Sequence, residues 1–539
     1  MSFVAVSEHR QTTSPKWLLI LFLTLALLSV AAFVVNLAVT ASQSSAAPVV
    51  ENAPQAAAAA PVYADAGDQL TVWVGTGPAP GQHSASEPGQ VVLMDGTGVF
   101  EPIIDVPPQT TRVQACSEAP TSPDGQNFAF FIGLEAGNLY LKKGADAPTV
   151  VDEVSALACL GSGTFRYSPD STRVAYIDYE PGAEQSEFAD GFLKVVSTAD
   201  LSQQFSYENV VAFDIHNDLV AFVSFFTNDK NEADEAAVLI WNGSGTLEVA
   251  TLTPTAEDCK FTSASVAVLP DSKLMLVMGH RCTSGDTRTA WQLYQVDPSN
   301  RSATLAASDF QDGQYASFAR TNSIFLSPDG ARAYFGVADG ITANTAGLKM
   351  VTLADLALTD LIDRQVVMAT YSGAANAFPR VSPDGKWLAL VVTSPNNENE
   401  LQLWNMADPS VAPITISAGS QGDTISSMAF SPDSSRLFLV AGGDSSANNS
   451  LIGVELTNGT DFRVSRGRFG AGLTVSPSGA EIAILDWQVL EDPNEPPYSN
   501  LVVIGVDSGQ TATLFTGAEI VDGKVTNQQF AFPMRWVRP

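Results

Sequence analysis

A short turn that recurs along the chain constrains its fold more than any other feature. Proline presets φ for the first central position of a tight turn, aspartate bonds its own backbone, and glycine takes the φ > 0 position. The copy inside Phe378–Val392 (F-P-R-V-S-P-D-G-K-W-L-A-L-V-V) lies between two apolar runs, a pattern that predicts a β-hairpin. The Ser-Pro turn begins at Ser122, Ser168, Ser327, Ser382, Ser431 and Ser476, and weaker copies lie at Leu269-Pro270-Asp271 and Ile215-His216-Asn217-Asp218.

The spacing of these turns predicts the architecture. They recur at intervals of 45–57 residues, the length of a four-stranded propeller blade with variable loops. Each unit is expected to run strand A, the Ser-Pro-Asp turn, strand B, a loop, strand C, a second turn and strand D. Helical periodicity is not found after the apolar segment near the N-terminus, which disfavours helical repeats.

The two ends of the repeat region predict how the ring closes. Leu70–Val74, Gln90–Asp95 and Val99–Ile104 have the pattern of strands B, C and D without a strand A. Gln529–Arg538 has the pattern of a strand A without a following B. We therefore expect the C-terminal strand to complete the first blade, which removes exposed sheet edges. Counting that composite blade gives nine units, and since propellers usually have about four to eight blades, we expect eight or nine.

The N-terminal region predicts a membrane anchor. Residues 17–39 carry no charge, and about 20 apolar residues suffice to cross a bilayer. Arg10 and Lys16 precede the segment, so the positive-inside rule places residues 1–16 in the cytoplasm. The expected order is a cytoplasmic tail (1–16), a transmembrane signal anchor (17–40), an Ala/Pro/Ser-rich linker (41–61) and an all-β propeller (62–539) outside the cytoplasmic membrane. A cleaved signal peptide is the alternative, since Val39 and Ala41 resemble a cleavage site.

The repeat resembles a known family. The Ser-Pro-Asp-Gly turn, the apolar strand after it and a second turn such as Asp507-Ser-Gly are similar to the TolB-like family of WD-type β-propeller repeats. The resemblance covers about residues 62–539 and implies a propeller that binds proteins. Similar propellers also precede the catalytic domain of prolyl-oligopeptidase-type serine peptidases. The additional domain of TolB itself is not found in this sequence.

The four cysteines predict two disulfides. Cys259 and Cys282 are equidistant from the Pro270-Asp271 turn, so they should face each other across an antiparallel hairpin. Cys116 and Cys159 precede the turns of adjacent repeats and are expected to form the second bridge, with buried free thiols as the alternative. An oxidising compartment favours both bridges.

Charge and motifs exclude several functions. The chain has 27 Lys+Arg against 58 Asp+Glu, a net charge of -31, which disfavours nucleic acid as a partner. It has no G-x-S-x-G elbow, P-loop or dinucleotide fingerprint, and its histidines lack ligand spacing. On these grounds the sequence predicts no cofactor and no enzymatic activity.

The acidic loops between strands B and C are the sequence feature that most clearly suggests a function. They are expected on one face of the ring, opposite the Ser-Pro-Asp turns, as a surface for a basic or polymeric partner or for calcium. A calcium loop around Asp229 is weak, because it lacks the required glycine. Solvated loops that only keep the protein soluble are the alternative. The candidate binding residues are Asp178, Glu180, Glu184, Glu187, Asp190, Asp229, Glu232, Asp234, Glu235, Trp487, Glu491, Asp492 and Tyr498.

These observations favour a membrane-anchored, non-enzymatic scaffold that binds a protein, a peptide or a cell-envelope polymer. The alternative is a propeller hydrolase or lyase, or a small-ligand or calcium-dependent sensor, with its site at the mouth of the central channel. A purely structural spacer is the third possibility.

Overall fold

A computed structural model gives the structure of most of the chain after residue 67. The chain divides into two units, Met1–Ala59 and Ala60–Pro539, and the first lies wholly outside the described residues. The predicted tail (1–16), anchor (17–40) and linker (41–61) therefore also lie outside them. Among the described residues, no helix is long and apolar enough to cross a membrane. The structure describes residues 68–77, 89–107, 112–116, 120–144, 146–160, 163–179, 191–227, 232–254, 259–282, 288–309, 314–315, 324–339, 345–367, 379–393, 399–417, 423–443, 449–470, 472–492 and 494–537.

The described part is almost entirely antiparallel β-structure, arranged in four-stranded blades of the propeller type. Blade 1 begins with β1 (Gln69–Thr76), β2 (Gly89–Met94) and β3 (Phe100–Val106). Blade 2 contains β4 (Arg112–Ala115), β5 (Asn127–Gly133), β6 (Ala136–Lys143) and β7 (Thr149–Ser155), followed by the short helix α1 (Ala156–Leu160). Blades 3 and 4 contain β8 (Phe165–Tyr167), β9 (Arg173–Tyr179), β10 (Gly191–Ser197), β11 (Gln203–His216), β12 (Leu219–Thr227), β13 (Ala233–Trp241) and β14 (Thr246–Leu252). The long strand β11 belongs to both blades, because it pairs with β10 in blade 3 and with β12 in blade 4.

The second half of the chain continues the same pattern. Blade 5 contains β15 (Cys259–Val268), β16 (Leu274–Cys282), β17 (Arg288–Asp297) and β18 (Ser302–Asp309). Blade 6 contains β19 (Gln314–Tyr315), β20 (Phe325–Leu326), β21 (Arg332–Asp339), β22 (Thr345–Thr352) and β23 (Leu358–Val367), and both β19 and β20 pair with β21. Blade 7 contains β24 (Arg380–Val381), β25 (Trp387–Thr393), β26 (Asn399–Asn405) and β27 (Ile414–Ser417). Blade 8 contains β28 (Asp423–Phe430), β29 (Arg436–Gly443), β30 (Asn449–Glu455) and β31 (Asp461–Gly467), and blade 9 contains β32 (Thr474–Val475), β33 (Glu481–Gln488), β34 (Tyr498–Gly505) and β35 (Thr511–Phe515).

Three further strands follow blade 9. The strands β36 (Glu519–Val521) and β37 (Lys524–Thr526) form a separate hairpin. The last strand, β38 (Gln529–Val537), pairs with β1 from Gln69↔Val537 to Thr76↔Gln529. The resulting sheet order β3-β2-β1-β38 shows that the C-terminal strand supplies strand A of blade 1, as the sequence predicts.

The hydrophobic core lies between the blades. Each of nine clusters of buried side chains in the described residues joins two or three consecutive blades. The cluster between blades 9 and 1 contains Ala483 and Val72, and the cluster between blades 1 and 2 contains Trp73 and Phe128. The packing therefore returns to its starting point, and the described residues form a closed ring of nine blades.

The repeated turn has the hydrogen bonds that its sequence predicts. Ser382 Oγ donates to Asp384 Oδ1 (2.7 Å) and accepts from Trp387 N (3.0 Å). Asp384 Oδ1 also accepts from Lys386 N (3.1 Å), and Gly385 takes φ 74°. Burial disfavours the charged carboxylate, but the hydrogen bonds from Ser382 and Lys386 outweigh it and lower the pKa of Asp384. The aspartate is thus occupied by the turn itself.

One predicted disulfide is confirmed, and the other has the predicted register. Cys116 and Cys159 are bonded, and both are buried where blade 2 meets the helix α1. Cys259 lies opposite Cys282 in the β15–β16 pair, and Cys259 is a disulfide-bonded cysteine. Because the side chain of Cys282 is outside the described residues, the pairing of these two stays a prediction.

Removing the confirmed bond should destabilise the protein substantially. The bond closes a loop with a sequence separation of 43 residues, and loop-closure entropy then predicts a loss of about 3–4 kcal/mol. We expect the double variant Cys116→Ala/Cys159→Ala to unfold at a lower denaturant concentration than the wild type, measured by tryptophan fluorescence without reductant. An unchanged midpoint would show that the reduced chain keeps compensating structure.

Candidate ligand-binding site on the inner strands

The strands next to the central channel can be identified from their contacts. Strand A of one blade contacts strand A of the next at β8–β11, β11–β15, β28–β32, β32–β38 and β38–β4. Strand A is therefore the inner strand of each blade, and its exposed side chains border the channel of the ring. The inner strands are the natural place for a ligand that enters this channel.

Three arginines occupy one level of the inner strands. Arg166 and Arg380 each lie two residues before the serine of the Ser-Pro-Asp turn, and Arg535 has the corresponding place on β38. Each has a small residue as its register partner on strand B: Ala175 beside Arg166, Ala389 beside Arg380 and Thr71 beside Arg535. A small partner leaves room for the long arginine side chain. We call Arg166, Arg380 and Arg535 the inner arginines.

Arg166 is fixed by an acidic neighbour. Its Nη1 donates to Asp214 Oδ1 at 3.0 Å, and Asp214 Oδ2 accepts from Val268 N at 2.8 Å. This chain of bonds joins the inner strands of blades 3, 4 and 5. The Nε of Arg166 is buried and has no hydrogen-bond partner among the described residues. Asp214 therefore orients Arg166 but leaves part of its donor capacity unused.

Arg535 has a different environment. Its guanidinium carbon lies 6.0 Å from the centre of the Phe128 ring, and the described residues offer it no ion pair. Burial lowers the pKa of Arg535 to about 10, although a favourable interaction with Tyr167 opposes this. The side chain remains charged at neutral pH. It is thus a cation whose charge no described carboxylate neutralises.

Three of the predicted acidic binding residues that the structure describes are paired with lysines. Asp178 is the penultimate residue of β9 and contacts Lys194 (3.0 Å), which also contacts Asp152 (2.6 Å). Glu232 and Asp234 both contact Lys260. These two lysines therefore offset part of the negative charge of the described residues at the B–C ends of blades 3 and 4.

The remaining predicted binding residues lie either in blade 9 or outside the described residues. Trp487 and Tyr498 belong to the ends of strands β33 and β34 rather than to a loop, while Glu491 and Asp492 are exposed between them. Asp234 and Glu235 similarly belong to β13. The predicted residues Glu180, Glu184, Glu187, Asp190 and Asp229 lie outside the described residues. In the part of the chain that is described, no group of three or more His, Cys, Asp or Glu residues is arranged to hold a metal ion.

The inner arginines were missed by the sequence analysis, although a signal was present. The strings F-R-Y-S-P-D at Phe165 and P-R-V-S-P-D at Pro379 place arginine at the same offset from the turn, and M-R-W-V-R-P at Met534 repeats it. The chain has about twice as many acidic as basic residues. Arginine at one fixed position of several inner strands is therefore a local positive charge in an otherwise acidic protein.

Comparisons with known proteins give fold-level likeness alone. No protein-family model and no curated protein sequence matches the chain. A solved structure from a study of two prolyl endopeptidases is 12% identical over 72% of this chain and 54% of its own, with a TM-score of 0.42. Oligogalacturonate lyase in complex with manganese is 12% identical over 82% of this chain and 98% of its own, with a TM-score of 0.39. Dipeptidyl peptidase 4 of Porphyromonas gingivalis is 10% identical over 75% of this chain and 60% of its own, with a TM-score of 0.46.

These comparisons correct the predicted function. These three solved structures are of enzymes, namely two kinds of peptidase and a lyase. They contradict the predictions of a non-enzymatic scaffold and of a chain without enzymatic activity, and they favour the alternative of a propeller hydrolase or lyase. This chain spans about half the length of the prolyl endopeptidase chain that it matches, 54%. Identities of 10–12% assign no reaction to this chain.

Proposed function

We propose that this protein is a propeller enzyme, a hydrolase or a lyase, that takes an anionic substrate at its inner strands. The observation that supports this proposal is that the inner arginines place positive charge on the inner strands of a chain whose net charge is -31. Guanidinium groups are the side chains best suited to bind carboxylate and other oxyanions with fixed geometry. The substrate would be a peptide or a cell-envelope polymer that carries negative groups.

The acidic surface does not prevent such a substrate from binding. At physiological ionic strength, charges more than about 8 Å apart are largely screened. The inner arginines therefore act on a ligand at short range, where the low dielectric of the ring strengthens each contact. The distant acidic surface instead disfavours nonspecific adsorption of anions, which would help restrict binding to the channel.

The protein is further proposed to be TolB-like in its repeats and to stand outside the cytoplasmic membrane on the anchor at residues 17–40. The apolar run of residues 17–39, with Arg10 and Lys16 before it, supports this placement. Protease treatment of intact spheroplasts should then remove the propeller while leaving residues 1–16 protected.

Substituting an inner arginine should weaken the binding of an anionic substrate strongly. We expect Arg380→Met to raise KM, or the dissociation constant of a bound product, by about 10- to 100-fold, the size of one charge-assisted hydrogen bond of about 1.5–3 kcal/mol. The measurement is a screen of anionic and neutral peptides and oligosaccharides by mass spectrometry, followed by kinetics on the best substrate.

Arg463→Met is the matched control, because Arg463 is an exposed arginine on β31, the outer strand of blade 8. It should leave KM unchanged. The proposal fails if the protein turns over only neutral compounds, or if Arg380→Met and Arg463→Met have the same effect.

A further inference from the structure

Three hydroxyl groups near Arg535 are buried and lack hydrogen-bond partners among the described residues. They are Thr71 Oγ1, Thr121 Oγ1 and Tyr167 Oη, which come from blades 1, 2 and 3. Thr71 is 0% exposed and Tyr167 is 7% exposed. A buried hydroxyl without a partner is costly, and native proteins rarely leave one so. Three of them at consecutive blades need an explanation.

The fold brings these groups to adjacent levels of neighbouring blades. Thr71 is the register partner of Arg535, so both side chains lie on the same face of blade 1. Thr121 and Tyr167 each immediately precede the serine of the turn, in blades 2 and 3. The centre of the Phe128 ring in blade 2 lies 6.0 Å from the guanidinium carbon of Arg535. Arginine and hydroxyls thus come from three adjacent blades.

The strand that carries Arg535 is also locally irregular. The register of β38 against β1 shifts between Thr71 and Val72, whose partners are Arg535 and Pro533, so Met534 is an extra residue in a β-bulge. Bulges commonly re-aim a side chain beside a functional site. Here the bulge directly precedes the arginine that lacks an anionic partner.

The contrast with Arg166 shows what is missing at Arg535. Arg166 has Asp214 at 3.0 Å, while Arg535 has three unused hydroxyls and an aromatic ring. A water molecule would satisfy one or two hydroxyls but would leave the positive charge without a counter-charge. A ligand with a negative charge and several acceptor lone pairs would satisfy both the charge and the hydroxyls.

We infer that Arg535, Thr71, Thr121 and Tyr167 form a subsite for one carboxylate group of the substrate. This inference rests on the proposed function and specifies its ligand. A carboxylate matches the single positive charge, and its two oxygens accept about four hydrogen bonds. A phosphate dianion would leave a negative charge uncompensated in a buried place.

The protonation states agree with this role. Burial raises the pKa of Tyr167 well above its usual range, with the nearby charge of Arg535 acting in the opposite direction. Tyr167 therefore keeps its proton and remains a hydrogen-bond donor at any physiological pH. Together with the two threonine hydroxyls and the guanidinium, it presents donors to the ligand.

The variant Tyr167→Phe distinguishes a ligand-binding role of the Tyr167 hydroxyl from a structural one. Removing an unsatisfied buried hydroxyl relieves its desolvation cost, so the melting temperature of the unliganded protein should rise by about 1–2 °C. The same variant should bind carboxylates about 10-fold more weakly, since one hydrogen bond to a charged group is lost. Arg535→Met should lose binding by a larger factor.

The probes are matched pairs measured by calorimetry on the full chain in detergent. N-acetylated amino acids are compared with their amides, and glucuronate with glucose, so the two arms separate peptide ends from uronates as the source of the carboxylate. Phosphate and sulfate serve as anions of other shape. We expect one carboxylate series to bind and its neutral partner not to bind.

The outcomes separate this inference from the proposed function. If Arg380→Met raises KM for an anionic substrate while Tyr167→Phe changes neither binding nor melting temperature, the carboxylate subsite is wrong and the proposed function stands. A fall in melting temperature for Tyr167→Phe would show that the hydroxyl has a structural partner, and would also overturn the inference. If neither variant affects anion binding, both proposals are wrong.

Discussion

A chain that ends at Gln528 is expected to lose its cooperative unfolding transition. The missing strand β38 supplies strand A of blade 1, with Phe530 1% exposed and Trp536 3% exposed. Removing a buried aromatic side chain costs about 3–5 kcal/mol. The loss of two, together with Met534 and the whole ladder to β1, is of the order of 10 kcal/mol, which is comparable with the total stability of a domain.

The loss would also open the ring. Without β38, the strand β1 becomes an inner edge with unpaired backbone groups, and such edges promote aggregation. Differential scanning calorimetry and size-exclusion chromatography of the shortened chain should show a broad or absent transition and large species. A sharp transition near that of the full chain would mean that blade 1 folds without its first strand.

Deleting the β36–β37 hairpin is the matched control for the truncation. This hairpin belongs to none of the nine blades and is attached through bonds such as Val525 N to Glu495 Oε2 at 2.8 Å. Its ends, Glu519 and Thr526, face each other, so a short glycine linker can replace it. We expect the cooperative transition to survive this deletion.

Acid should weaken the seam between blades 4 and 5 through His280. This histidine is 0% exposed, and its ring lies 4.8 Å from that of Phe261. Burial lowers the pKa of His280 to about 4, although nearby Gln292 favours the charged form. The ring is therefore neutral in the folded protein at pH 7.

The sign of the effect follows from the two pKa values. In the unfolded chain the histidine takes up a proton near pH 6.5, whereas in the folded chain it does so only near pH 4. The contribution of neutral His280 to the free energy of unfolding is therefore complete above pH 6.5. It is lost as the pH falls toward 4, and the total loss is up to about 3 kcal/mol. The turn carboxylates such as Asp384, whose pKa is lowered from 3.8, lose their contribution only below this window.

The comparison with His280→Phe isolates this contribution. Acidification also reduces the repulsion within a chain of net charge -31, which opposes the histidine effect in the wild type. The phenylalanine variant keeps that general effect and lacks the titrating group. Denaturant unfolding at pH 7.5, 6.0 and 4.5 should show the wild type losing stability relative to the variant. Parallel curves would disprove a buried neutral histidine.

The features that were predictable from the sequence are local or periodic. The Ser382-Asp384 turn predicts its own hydrogen bonds, because all the groups involved lie within a few residues. The pairing of Cys259 with Cys282 in register follows from counting away from a tight turn. Ring closure by the C-terminal strand follows from the incomplete units at the two ends.

The candidate site was harder to predict because it depends on long-range assembly. Thr71 and Arg535 are register partners although more than 450 residues separate them, and nothing local marks them as neighbours. Unpartnered hydroxyls can be recognised only once packing has excluded other donors and acceptors. The acidic residues drew attention because runs of charge are visible in a sequence, whereas their lysine partners, Lys194 and Lys260, are not.

The composite first blade has a consequence for how such rings change in evolution. Because β38 and β1 complete one blade from opposite ends of the repeat region, the joint lies within a sheet rather than between two blades. Duplicating or deleting one complete unit elsewhere leaves that joint intact and changes only the angle between neighbouring blades. The number of blades can therefore change by one unit at a time while the ring stays closed at each step. A ring of nine blades can arise in this way from a smaller one.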